Sequence, residues 1–225
     1  MTTYAELQDK VSRALQDPDN NTFDAPAIRD MISSAWADIS RVAPQRFQED
    51  VTPTANTLEY QLRADVFPVP NDDIEPMSVE VWDGAVMPPK AVHHVAPQSA
   101  HPTGLSYSQA GWRFWGGMLY LPNRVADFID PDYHFIRVWG YSPWQDMDDD
   151  ADVVPFGKVH EEALVIRCHI EALRRLIGNR TLFTQWQTRS NNTDISIAGL
   201  MNEKSQAEEE WRRLSRSIQV LREAP

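Results

Sequence analysis

Apolar residues recur with a helical period at both ends of this chain and with a strand-like period in the middle. That double change of period restricts the fold more than any motif does. It predicts an α+β protein: N- and C-terminal helices forming a bundle, with a small antiparallel β-sandwich or barrel inserted between them and a C-terminal extension helix. The clearest helical stretch runs from Thr22 through Trp36 and Ile39 to Ala43-Pro44. Ile28, Met31, Ile32, Ala35, Trp36 and Ile39 fall on one face, Asp24 is suited to the N-cap, Pro26 sits in the first turn, and Pro44 marks the stop. Before it, Thr3 and Glu6 have capping-box spacing, and Tyr4, Leu7, Val11, Ala14 and Leu15 line one face of a helix from Tyr4 to Asp17. The break 17–21, Asp-Pro-Asp-Asn-Asn, separates the two.

From about Phe47 to Val154 the reading is strand. Asp83-Gly84, between 78–82 and 85–87, and Gly116-Gly117, between 111–115 and 118–121, each have the form of a two-residue hairpin turn. Over 133–141, Tyr133, Phe135, Arg137, Trp139 and Tyr141 alternate with His134, Ile136 and Val138, placing the two sets on opposite faces. Most of the 16 prolines lie here, which suits short strands and edges. The stretches 96–103 and 146–152 read as exposed loops.

Helices resume near Gly157. Val159, Ala163, Ile166, Ile170, Leu173 and Ile177 form a stripe, and Gly178-Asn179 is the stop. A short helix at 181–188 carries Leu182, Phe183 and Trp186. After a polar hinge at 189–193, Asp194 is positioned to cap a last helix to about Glu223. Its apolar positions are Ile197, Leu200, Met201, Ala207, Trp211, Leu214, Ile218 and Leu221. The expected segments are thus 1–46, 47–154, 155–188 and 189–225.

Eight Trp, eight Phe and six Tyr indicate a folded chain able to bury a core. The start has neither the basic nor the apolar segment of a signal peptide, and no apolar run reaches bilayer length, so a protein that is cytoplasmic where it is made is expected. A formal net charge of −12 argues against a protein that grips nucleic acid, though it suits a wall that DNA slides past; it also serves plain solubility.

Catalytic and metal motifs are incomplete. His160-Glu161-Glu162-Ala163-Leu164 has Leu where HExxH needs the second His, and His169 is out of phase with His160. Asp146, Asp148, Asp150 and Asp152 imitate an EF-hand opening, but Ala151 and Gly157 stand where that loop needs Gly and Glu. His93, His94 and His101 lack thiolate partners, and Cys168, the single cysteine, reads as a small core residue. No GxSxG, P-loop or Gly-rich dinucleotide turn is present. The expectation is therefore no enzyme, no metal and no cofactor.

The opening "YAELQDKVSRALQDPDNNTFDAPAIRDMISSAWADISRVAPQRF" pairs a short helix, a Pro/Asp/Asn turn and an aromatic-Asp cap with a helix ending near "AP". After it, "DVTPTANTLEYQL" leads into the strands, and "VPFGKVHEEALVIRCHIEALRRLIGNRTLFTQWQ" brings the helices back. In these segments the chain resembles the head-to-tail adaptor (connector, head-completion) proteins of tailed bacteriophages; 63–153 matches only in general character, and 194–223 extends beyond the pattern. The resemblance implies a structural virion protein. It would form a homo-oligomeric ring of twelve copies under the portal protein, extend the channel for double-stranded DNA without binding it specifically, and dock the next head-completion, stopper or tail protein.

The last helix carries the candidate portal contacts: Leu200, Trp211, Arg212, Leu214, Arg216, Leu221 and Arg222. Two roles are open for it, insertion into a partner's groove or completion of the chain's own bundle. Two other readings compete. A carbohydrate-binding or hydrolytic virion protein would use Trp82, Trp112, Trp115, Trp139 and Trp144 to stack on sugars. A regulatory DNA-binding protein is opposed by the few basic residues of the opening helices, Lys10, Arg13, Arg29 and Arg41.

Overall fold

In the structure, a computed structural model, the two changes of period mark the borders of two compact units. Described are residues 2–54, 57–97, 111–126, 129–147, 149–190 and 194–223; the side chains of Arg124, Ala126, Ser190 and 219–223 are not among those described. One unit comprises Met1–Pro44 and Asp146–Pro225, the other Gln45–Gln145. The borders fall at 44/45 and 145/146 instead of 46/47 and 154/155. Gln45 and Arg46 already pair in a strand. The stretch 146–154 is fastened to the N-terminus: Tyr4 N donates to Asp152 O (2.8 Å), Val154 N to Thr2 O (2.9 Å), and Thr3 bridges Val153.

The helical unit contains α1 (Tyr4–Ala14), α2 (Ala25–Val42), α4 (Lys158–Gly178), α5 (Arg180–Ser190) and α6 (Ile197–Glu223). Helix α1 starts at the Thr3/Glu6 capping box, with both reciprocal bonds made (3.0 and 3.3 Å). It ends three residues before Asp17, because Gln16 turns left-handed at φ +56°. The buried Asp17 carboxylate then accepts from the backbone N–H groups of Asn21 (3.0 Å), Thr22 (2.8 Å) and Phe23 (2.8 Å), fixing the turn into α2. Asp24 caps α2 through Ala27 N (2.9 Å), and all six apolar residues of its predicted face are buried.

Helix α4 packs against α1, α2, α5 and α6. A helix with four neighbours buries more than one stripe. Leu164, Cys168, Ala172 and Leu176 are buried along with Ala163, Ile170 and Leu173, while Ile166 and Ile177 are only partly covered and Val159 is exposed. Asn179 Oδ1 accepts from Thr181 N and Leu182 N (3.1 Å each) at the start of α5, and Trp186 Nε1 donates to Leu15 O (3.3 Å). At α6 the cap is Ser196, whose Oγ accepts from Gly199 N (3.1 Å), in place of the expected Asp194. Among the described residues no helix is long and apolar enough to cross a membrane.

The second unit is antiparallel throughout its named strands. Its strands are β1 (Gln45–Val51), β2 (Glu59–Gln61), β3 (Glu75–Asp83), β4 (Lys90–Val95), β5 (Arg113–Trp115), β6 (Met118–Tyr120) and β7 (His134–Ser142), with a four-residue helix α3 (Asn123–Ala126). One sheet has the order β1-β7-β3-β4, the other β2-β6-β5. Both contribute to a single core that includes Phe47, Tyr60, Val79, Val81, Leu119, Ile136 and Val138.

The Gly116-Gly117 hairpin forms as expected, with φ +61° and +74° at its two turn residues. At Asp83-Gly84 a hairpin forms too, with Asp83 opposite Lys90, but its loop is longer than two residues. Strand β3 runs through Asp83, Gly84 N donates to Tyr133 O (2.8 Å), and the chain reverses over 84–89, where Pro88 and Pro89 have no N–H to give a ladder.

Candidate functional site

Residues predicted as partner contacts lie on α6, and α6 is folded onto its own unit. The face it turns inward includes Leu200 and Ile218, both buried, and Ala207, Trp211 and Leu214, half-buried. His169 of α4 and Glu203 of α6 meet at 3.0 Å. Leu200, at 0% exposure, is therefore corrected from a partner anchor to a core residue of the chain itself. Arg212 and Arg216 are exposed, and the side chains of Leu221 and Arg222 lie outside the described residues.

Where α6 crosses α2 and α4 the helices leave a groove of about 400 Å³. Helix α2 contributes Asp38, Arg41 and Val42, helix α4 Arg167 and Ile170, and helix α6 Glu208, Trp211 and Arg212. Sequence reasoning named Trp211 and Arg212 but missed the rest, since nothing in a one-dimensional pattern brings 38–42, 167–170 and 208–212 together. A hint was available for one of them: Arg167 interrupts the otherwise apolar run from Ala163 to Cys168.

The groove is electropositive. Arg167 Nε bonds Asp38 Oδ2 at 2.7 Å, and Arg41 Nη1 approaches Asp38 Oδ1 at 3.5 Å. Glu208 bonds Lys204 one turn earlier (2.7 Å), and three guanidiniums face two carboxylates in the lining, leaving an excess of positive charge. Hydrogen bonding from Lys204, helped by the charges of Lys204, Arg212 and Arg167, holds the Glu208 carboxyl below its ordinary range. The Arg41 side chain is 80% exposed and that of Arg167 26%, so one is extended into solvent and the other fixed in the wall. Guanidiniums beside Trp211, Val42 and Ile170 suit a carboxylate carried next to an apolar group.

The tryptophan-rich strands form a different arrangement. On the outer face of the four-stranded sheet, Arg137 makes a bidentate pair with Asp50 (2.6 and 2.7 Å), and its guanidinium lies over Trp82 (4.2 Å), with Phe135 (5.1 Å) and Trp139 (5.8 Å) alongside. Trp82 Nε1 donates to Glu80 (2.9 Å) and Trp139 Nε1 to Gln48 (3.2 Å). The rings are engaged in a cross-strand clasp. Trp112 and Trp115 are split: Trp112 is 8% exposed and belongs to the core, while Trp115 is 72% exposed. They do not make the paired stacking platform that the sugar-binding reading requires.

Two further groups complete the chemistry. Cys168 is buried, and burial pushes its thiol far above the usual range, so it is no nucleophile. His93 and His94 are consecutive in β4 and project to opposite faces, His94 toward Glu80 (3.7 Å); His101 lies outside the described residues. Among the described residues, no group of three or more His, Cys, Asp or Glu is placed to hold a metal ion. Compared with protein-family models and with curated protein sequences, the chain finds no match in either.

Proposed function

We propose that this chain is a structural virion protein, a head-to-tail adaptor. Copies of it join in a ring beneath the portal, extend the DNA channel and receive the next head-completion or tail protein. The observation that carries the reading is the discontinuous helical unit. Residues 1–44 and 146–225 fold together around an inserted antiparallel segment, matching the arrangement in which the two adaptor-like sequence segments occur. A rigid bundle with an inserted β module provides separate surfaces for lateral neighbours and for axial partners, as a closed ring inside a stack requires. The −12 charge favours sliding of DNA over adhesion.

The test is direct mixing of the purified chain with portal rings from the same virus, followed by negative-stain imaging. A second annulus stacked on the portal supports the reading. Portal rings left bare at saturating chain concentration refute it.

A further inference from the structure

We propose that the arginine groove of α2, α4 and α6 receives the acidic segment around Asp146 and Asp149 of a second copy, making a head-to-tail contact between neighbouring helical units. The inference rests on the adaptor reading and supplies its lateral interface.

Three observations argue for a second copy as the occupant. First, the groove carries an excess of guanidinium in a chain whose net charge is −12, so its complement is abundant on its own kind. Second, the acidic segment is held ready. Tyr4 N and Ala5 N donate to Asp152 O (2.8 Å) and Asp150 O (3.1 Å), and the Asp149 carboxylate turns the backbone by accepting from Ala151 N (3.0 Å). Asp146 and Asp149 remain exposed, and Val153, four residues on from Asp149, is 51% exposed, which gives an apolar companion that the half-buried Trp211 would cover. Because the backbone of 149–152 is already hydrogen-bonded, docking orders little of it.

Third, the segment does not occupy its own groove. It meets α2 at Arg29, whose Nη2 bonds Asp150 Oδ1 (3.0 Å), whereas the groove lies at Arg41. Twelve residues of helix separate these by about 18 Å. A knob and a socket displaced along one unit can pair heterologously, and such contacts form a ring where the rotation between copies closes.

The test is a charge swap read by native mass spectrometry, on the chain alone and on portal-bound chain, with circular dichroism confirming the fold. The groove variant carries Arg41→Glu and Arg212→Glu; the knob variant carries Asp146→Lys and Asp149→Lys. All four positions are exposed. Each variant alone is expected to weaken assembly at least ~100-fold, because like charges then face each other in every contact. Mixing the two, or combining all four substitutions in one chain, restores assembly, since every knob again meets an opposite socket.

Variants that assemble like the wild type overturn the inference and leave the adaptor reading standing. So does a loss that neither the mixture nor the fourfold variant repairs. A wild-type chain that assembles neither alone nor on portal overturns both.

Discussion

Leu200→Ala tests whether the last helix belongs to the chain's own bundle in solution. Leu200 is completely buried and Met201, its neighbour in sequence, is 53% exposed. Truncating Leu200 removes three buried carbons, about 2.4 kcal/mol at ~0.8 per methylene. The cavity left behind raises the cost to roughly 3–4 kcal/mol, within the range known for such substitutions. Met201→Ala at a solvated helix position should change stability by less than about 0.5 kcal/mol. Alanine favours helix at least as well as either residue, so propensity does not produce the difference. Thermal melts followed by circular dichroism at 222 nm should show Leu200→Ala falling by roughly 6–16 °C and Met201→Ala by a degree or two. Equal effects at the two positions would refute the packing described for α6, and would return that helix to the role of a free, partner-seeking arm.

Asp17→Ala should cost about 2–3 kcal/mol in urea melts, because three backbone N–H groups lose a buried acceptor. Gly117→Ala should destabilise the second unit by more than about 2 kcal/mol, since a Cβ there collides with Pro70 Cβ and meets Asn71 N at 2.6 Å; Gly116→Ala, with open space around it, should cost only about 1 kcal/mol for its positive φ, as denaturant titration would show. Desolvation raises the Glu161 carboxyl, but hydrogen bonds from Lys10 and Thr2 outweigh it, and the group titrates below its ordinary 4.5. Its stabilising contribution is therefore present above that value and lost as pH falls through the lower, folded-state one. Glu161→Gln should lose up to about 1 kcal/mol at pH 7 and nothing in strong acid. Cys168 should resist a thiol reagent in the native protein and react once the chain is unfolded by guanidinium.

The helices were legible because their local signals agree with their packing. Asp24, Pro26 and the Ile28–Ile39 stripe specify α2 without help from the rest of the chain, and Thr3/Glu6 fix the start of α1. Strand β7 was legible for the same reason, since Ile136 and Val138 alternate with Arg137 and Trp139. What failed depended on neighbours distant in sequence. A single stripe was expected on α4, yet four helices surround it. The Asp83-Gly84 hairpin was legible but its loop length was not: Gly84 N still bonds Tyr133 O, and the return strand begins only at Lys90, after Pro88 and Pro89. The border at 154 missed the hydrogen bonds that tie 150–154 to residues 2–5. Of the candidate groove only Trp211 and Arg212 were visible; Asp38, Arg41 and Arg167 join it only through tertiary packing.

The most direct measurement of the central claim is native mass spectrometry of this 25.7 kDa chain mixed with portal rings from the same virus. The account predicts a complex holding a closed set of copies equal in number to a twelvefold ring, seated on one portal. Single chains released unchanged, with the portal mass unaltered across all concentrations, would contradict it.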